Sequence, residues 1–283
     1  MHDVNLIAGE DVVLLLHGLA SSPLEMRYVA KRLHRDGFSV VAPHISGYGY
    51  GRPATDWREW HNNALDIFSK LKRDYRTVSV GGLCIGAVLA LSLATEQSRN
   101  ITALSLLSTT LFYDGWSIPW YRFMLPLGYY TPLRHVYSYY EREPFGLKNE
   151  PLRKRIARAM NQGSCTEAGG PSVSMNHIYQ ATRLIRHVKR NIGAVETPAL
   201  VVHAIDDDIA SMKSADFVVD RIGSKCVRTI FLDDCYHIVT MDNERKLVAG
   251  ETSNFFTENI EEKSSGQRFH GRERTAGIHT AGA

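Results

Sequence analysis

The chain has 283 residues, of which 44% are hydrophobic and 22% charged, and its formal net charge is +3. That is the balance of an ordinary globular protein, and so small a positive surplus gives no footprint for nucleic acid. No run of about 18 apolar residues and no basic-then-apolar leader occurs, so neither a membrane span nor a signal peptide is expected. The four cysteines (Cys84, Cys165, Cys226 and Cys235) show no CxxC spacing. They argue against a zinc site or a disulfide framework, and a reducing cytoplasm is the expected compartment.

In chain order, Val12 to Leu16 is a short continuous apolar run that stops at His17-Gly18, as a strand buried on both faces does. Ser21-Ser22-Pro23 opens a helix over Leu24 to Asp36, whose apolar residues fall at helical spacing and which Gly37 ends. Phe38 to Ala42 reads as the next strand. After the glycine-rich loop Ser46 to Gly51, Asp56-Trp57 opens a second helix. Val78 to Val80 and Ile101 to Leu107 read as strands on either side of a small-residue helix. Strands and helices alternating at short intervals imply a doubly wound, mostly parallel sheet.

The rhythm breaks between 112 and 190, where Trp, Tyr, Pro and Arg are frequent, no strand is expected, and Leu152–Met160 and His177–Val188 read as amphipathic helices. A helical block between two sheet strands is read as a cap over the sheet's C-terminal edge, the alternative being helices that extend the core. The sheet pattern returns at Ala199–Ala204, continues through a helix at Ser214–Ile222 and a last strand at Val227–Leu232, and closes with a helix through Phe256. The expected organisation is a core in two parts, 1–111 and 191–260, a helical cap over 112–190, and a disordered polar tail over 261–283.

At the centre stands Val78 to Leu91, in which a β-rich run passes through Gly82-x-Cys84-x-Gly86 into small aliphatic residues. A strand turning sharply into a helix, with glycines two before and two after a reactive side chain, is a nucleophile elbow. The turn holds the nucleophile in a strained conformation at a helix N-terminus, where an anion is favoured. An acid and a histidine should then follow on loops after later strands. They do, in the order Cys84, Asp207, His237. His237 would take the thiol proton and return it to the leaving group. Asp206, Asp207 and Asp208 compete as the acid that orients it, and the spacing after the strand favours Asp207, leaving the other two as cap or turn residues. The oxyanion would be held by the backbone N–H groups of Ile85 and of Leu19, with His17 as a buried scaffold residue.

Leu14-Leu15-Leu16-His17-Gly18-Leu19, Ala42-Pro43, Gly47-Tyr48-Gly49, Gly82-x-Cys84-x-Gly86, Val201-Val202-x-Ala204-x-x-Asp207 and His237-x-Val239-Thr240-x-Asp242 together resemble the carboxylesterase and monoacylglycerol lipase branch of the α/β-hydrolases. The resemblance covers most of residues 10 to 258 outside the cap. It implies the α/β-hydrolase fold with a small helical cap forming an acyl tunnel, no metal or cofactor, and cleavage of carboxylic esters of medium or long acyl chains. The departure is Cys84 where that branch has serine. Dienelactone hydrolases, intracellular polyester depolymerases and polyhydroxyalkanoate synthases also carry cysteine at the elbow, and the last of these transfer acyl groups. Three readings follow: a hydrolase of esters or thioesters, including carrier-bound acyl groups; an acyltransferase to an alcohol, amine or thiol; and a non-catalytic binding module. Tyr48, Trp57, Trp116, Trp120 and Tyr121 are candidates to line the pocket.

Overall fold

A computed structural model describes residues 3–162, 166–265 and 271–276. The chain order is β1 (Val4–Leu6), β2 (Asp11–Leu16), α1 (Arg27–Arg35), β3 (Ser39–Ala42), α2 (Trp57–Asp74), β4 (Thr77–Leu83), α3 (Ile85–Gln97) and β5 (Leu104–Leu107). Next come α4 (Leu125–Tyr129), α5 (Leu133–Val136), β6 (Ser138–Tyr140), α6 (Glu150–Asn161), β7 (Ser172–Ser174) and α7 (Met175–Asn191). The chain continues with β8 (Ala199–Ala204), α8 (Lys213–Arg221), β9 (Cys226–Leu232), α9 (Arg245–Ser265) and β10 (Gly271–Ala276). Among the described residues eight strands form one sheet in the order β1-β3-β2-β4-β5-β8-β9-β10. Only β1, at the edge, runs antiparallel to its neighbour.

The apolar runs divide by parity, as side chains alternating across a sheet must. Val12, Leu14 and Leu16 enter one core with α2, α3 and α7, and Val13 and Leu15 enter the other with α1 and α9. Burial on both faces is why β2 reads as a continuous apolar run instead of an alternating one. Helix α3 is buried from Ile85 to Ala94 without a polar stripe, because it lies between the sheet and the helices α2 and α7.

Several expectations are corrected. The segment 112–190 contains the antiparallel pair β6–β7, where no strand was expected. These strands are three residues each, too short to carry a periodic signature. Helix α7 falls within the expected cap, yet Ala181, Leu184, Ile185 and Val188 pack in the core beside α3. Helix α7 thus packs on the core along its second half, while Met175 and Ile178 near its start line the cavity with the residues before it. In the expected tail, α9 continues to Ser265 and β10 adds a parallel strand beside β9. Its charged composition, Gly-Arg-Glu-Arg-Thr-Ala, hides an edge strand. The rest of the tail and Cys165 lie outside the described residues.

The elbow's glycines are required by space. A Cβ on Gly86 would stand 2.2 Å from the Leu16 carbonyl oxygen, and one on Gly82 2.3 Å from that of Gly86. Both obstacles are backbone and cannot rotate away. Gly86→Ala should thus lower stability by about 1–3 kcal/mol, the usual range for overpacking. Gly193→Ala, whose Cβ would meet nothing nearer than 3.8 Å, should change it little. Urea midpoints check both, and an unchanged midpoint in Gly86→Ala would contradict this packing.

Candidate active site

Strand β4 ends at Leu83 and α3 begins at Ile85, so Cys84 alone makes the turn, at φ 59° and ψ −122°. A non-glycine residue there carries about 1–3 kcal/mol of strain, which the surroundings must offset. The Cys84 N–H donates to the Leu107 carbonyl at 2.9 Å, tying the elbow to the end of β5. The Thr110 hydroxyl, on the loop that follows β5, donates to the Cys84 sulfur at 3.3 Å.

The other two candidates converge on the same sheet edge. Asp207 follows β8 and His237 follows β9, and His237 Nδ1 meets the two carboxylate oxygens of Asp207 at 2.9 and 2.8 Å. Asp207 also accepts the N–H groups of Ile209 and Ala210, each at 2.8 Å. Burial alone would raise its pKa, but the facing His237 charge and these hydrogen bonds outweigh it and hold the carboxyl below its ordinary range. For His237, burial acts to lower the pKa, and the charges of Asp207 and then Cys84 reverse this and hold it well above 6.5. Its Nε2 is buried, and among the described residues it has no hydrogen-bond partner within ordinary distance.

Leu19, on the loop after β2, and Ile85, the first residue of α3, flank Cys84, and Leu19, Cys84 and His237 line one cavity. Among the described residues neither N–H donates to another protein group. The loop carrying Leu19 is braced by the buried Tyr48, whose hydroxyl donates to the His17 carbonyl at 2.6 Å, and by the Ala20 N–H, which donates to the Tyr48 carbonyl at 3.1 Å. His17 is wholly buried, and burial lowers its pKa to about 4, so it is neutral at pH 7. Tyr48 and Trp57 lie in the core rather than the pocket, Trp116 and Trp120 are exposed, and Tyr121 lines the cavity.

Three further carboxyls stand at the site, of which Glu25 and Glu141 had no place in the expectations from the sequence. Asp208, expected as a cap or turn residue, is buried and accepts the His237 N–H at 3.2 Å and the Gly146 N–H at 3.3 Å, clasping the histidine loop to the cap. Glu25 accepts the Gly18 N–H and the Ser21 hydroxyl from beneath the Leu19 loop. Glu141 projects into the cavity from the end of β6. Burial, the dominant cause in each, raises Asp208 to about 6 and Glu25 and Glu141 to about 7. Asp208 stood in the sequence as one of three adjacent aspartates after a strand, and Glu25 as a lone acid within an otherwise apolar helix start. The cavity measures about 210 Å³ and is closed by the cap residues Ile118, Leu125, Tyr137, Val173 and Ile178. Among the described residues no group of three His, Cys, Asp or Glu side chains is placed to hold a metal ion.

The raised Glu25 sets the sign of a pH effect. Its carboxyl titrates at about 7 in the folded chain against an ordinary 4.5, so folding favours the protonated form. That contribution is complete below pH 4.5 and is lost as the pH rises through about 7. Glu25→Gln cannot ionise and should escape the loss. Chemical unfolding at pH 5 and pH 8 should show the variant gaining on the wild type at the higher pH; parallel curves would assign the titration elsewhere.

The model of the Hydrolase_4 family, described as "Serine aminopeptidase, S33", matches residues 9–244. A carboxylesterase of Bacillus subtilis is 23% identical over 87% of this chain and 92% of its own length. A thermostable monoacylglycerol lipase of Bacillus sp. strain H-257 is 25% identical over 86% of this chain and 89% of its own. Among solved structures, a monoacylglycerol lipase of Paleococcus ferrophilus superposes with a TM-score of 0.75 at 17% identity, over 91% of this chain and 98% of that one. The match spans both parts of the sheet and every loop that meets at Cys84, and the chain belongs to this family of α/β-hydrolases.

Proposed function

We propose that the chain is an ester hydrolase that acts through Cys84, His237 and Asp207. The observation that carries this reading is the paired Asp207–His237 contact beside a cysteine held at an elbow, with Cys84 and His237 lining one apolar cavity. The similarity to a carboxylesterase and a monoacylglycerol lipase supports an acyl ester as substrate, and a small molecule of that class suits the cavity.

In the proposed cycle, His237 Nε2 accepts the thiol proton and the Cys84 sulfur adds to the ester carbonyl carbon. The resulting oxyanion accepts the N–H groups of Leu19 and Ile85. As the tetrahedral adduct collapses, the C–O bond to the alcohol breaks and His237 delivers its proton to that oxygen, leaving a thioester on Cys84. Water then gives a proton to His237 and adds to the thioester carbonyl, and collapse releases the carboxylic acid and restores the thiol. Asp207 remains ionised throughout and stabilises the imidazolium, consistent with its lowered pKa and with the raised pKa of His237.

A thioester also yields to alcohols, amines and thiols. Acyl transfer is the second reading, favoured by the apolar lining that keeps water scarce beside Cys84. Turnover of p-nitrophenyl esters separates the possibilities. Cys84→Ala should abolish turnover, and Asp207→Asn should lower kcat by about a hundredfold or more with little change in KM. Acylated product appearing at the expense of free acid when an alcohol is added would select transfer. Full activity in Cys84→Ala would overturn the covalent reading.

A further inference from the structure

The sulfur of Cys84 has a polar neighbour to which the proposed cycle gives no task. The loop after β5 begins Ser108-Thr109-Thr110, three hydroxyl side chains in a row, all of them buried. Burying hydroxyls costs stability unless each finds a partner. Among the described residues the hydroxyls of Ser108 and Thr109 have none, and Ser108 also takes φ 43°, the left-handed region. Thr110 differs from both. Its Oγ1 stands 3.3 Å from the Cys84 sulfur and 3.3 Å from the Ser108 carbonyl oxygen. The loop is pinned on either side of it. The Ser108 N–H donates to the Val202 carbonyl at 2.8 Å, and the Ser214 hydroxyl accepts the N–H groups of Leu111 and Phe112 at 3.2 and 3.1 Å.

We propose that Thr110 is a further catalytic residue, whose hydroxyl stabilises negative charge on the Cys84 sulfur. The proposal rests on the reading of Cys84 as nucleophile. A hydroxyl has one proton to donate and here two acceptors within reach. A thiol is a weak acceptor and a thiolate a strong one, so the proton turns from the carbonyl to the sulfur as charge develops there. That occurs twice in the cycle: when His237 takes the thiol proton, and when the thioester collapses and sulfur leaves. Thr110 keeps its own O–H bond throughout. His237 thus moves the proton, the N–H groups of Leu19 and Ile85 hold the oxyanion, and Thr110 serves the sulfur.

Alkylation of the whole protein by iodoacetamide tests this, because the thiolate is the reacting form and Cys84 lines the cavity. The rate is followed by intact mass, with the label located to the peptide containing Cys84. At pH 6, Thr110→Val should be alkylated about tenfold more slowly than the wild type, the effect of one hydrogen bond to a charged group. At pH 10, where thiols ionise without help, the two rates should converge. Thr110→Ser should stay within about threefold of the wild type at both pH values, since it keeps the hydroxyl. Thr109→Val, the same exchange one position earlier, should leave the rate unchanged. Thr110→Ala carries the same expectation as Thr110→Val, should the latter fail to fold. In ester turnover Thr110→Val should lower kcat with little change in KM. The proposal is overturned if Thr110→Val is alkylated at the wild-type rate at pH 6. Equal slowing at both pH values, or slowing in Thr109→Val as well, also overturns it by assigning the loop a packing role. Alkylation needs no ester, so these outcomes stand apart from failure of the nucleophile reading, which shows as turnover persisting in Cys84→Ala.

Discussion

The molecule depends on one strained residue. Cys84 occupies a conformation that its side chain disfavours, and the sheet, the first helix core and the two glycines exist in register to keep it there. Strand β4 is flanked by β2 and β5 in parallel, so its end is fixed from both sides. Helix α3 is locked by burial around its whole circumference. A strain of about 1–3 kcal/mol is small against that packing, which is why it persists. The result for function is a sulfur at the sheet's C-terminal edge, at the start of a helix, where loops from distant strands can reach it.

Electrostatics then sorts the acids around it. Four carboxyls stand near the imidazole of His237, and only Asp207 is held below its ordinary pKa. The distinction comes from partners. Asp207 accepts two backbone N–H groups and the imidazole, whereas Glu141 meets the cavity with burial dominating. A single fixed negative charge gives His237 one orientation and raises its affinity for a proton. More than one would compete for the same ring. Asp208 acts differently, accepting from the main chain of both His237 and Gly146 and so tying the histidine loop to the cap.

How much of this could be read from the residues follows from the range of each interaction. Buried parallel strands leave continuous apolar runs, and the elbow leaves its glycines, so β2, β4 and α3 were legible, and so was the chain order of Cys84, Asp207 and His237. What was hidden depends on three-dimensional neighbours. The strands β6 and β7 pair across more than thirty positions and have no local period. Helix α7 is amphipathic whether it lies in a cap or on the core, and only its contact with α3 decides. Asp208 resembles any loop aspartate until Gly146 and His237 are brought to it. Thr110 and Glu141 are likewise ordinary in the sequence, and acquire meaning through the sulfur and the cavity they face.

The central claim is that acyl groups pass through the Cys84 sulfur, and intact-protein mass after brief exposure to a medium-chain acyl ester addresses it most directly. The account predicts a mass increase of one acyl group on the wild type, located to the peptide containing Cys84, and none on Cys84→Ala. An adduct of equal size on Cys84→Ala, or turnover of the ester with no adduct on the wild type under any quench, would contradict it.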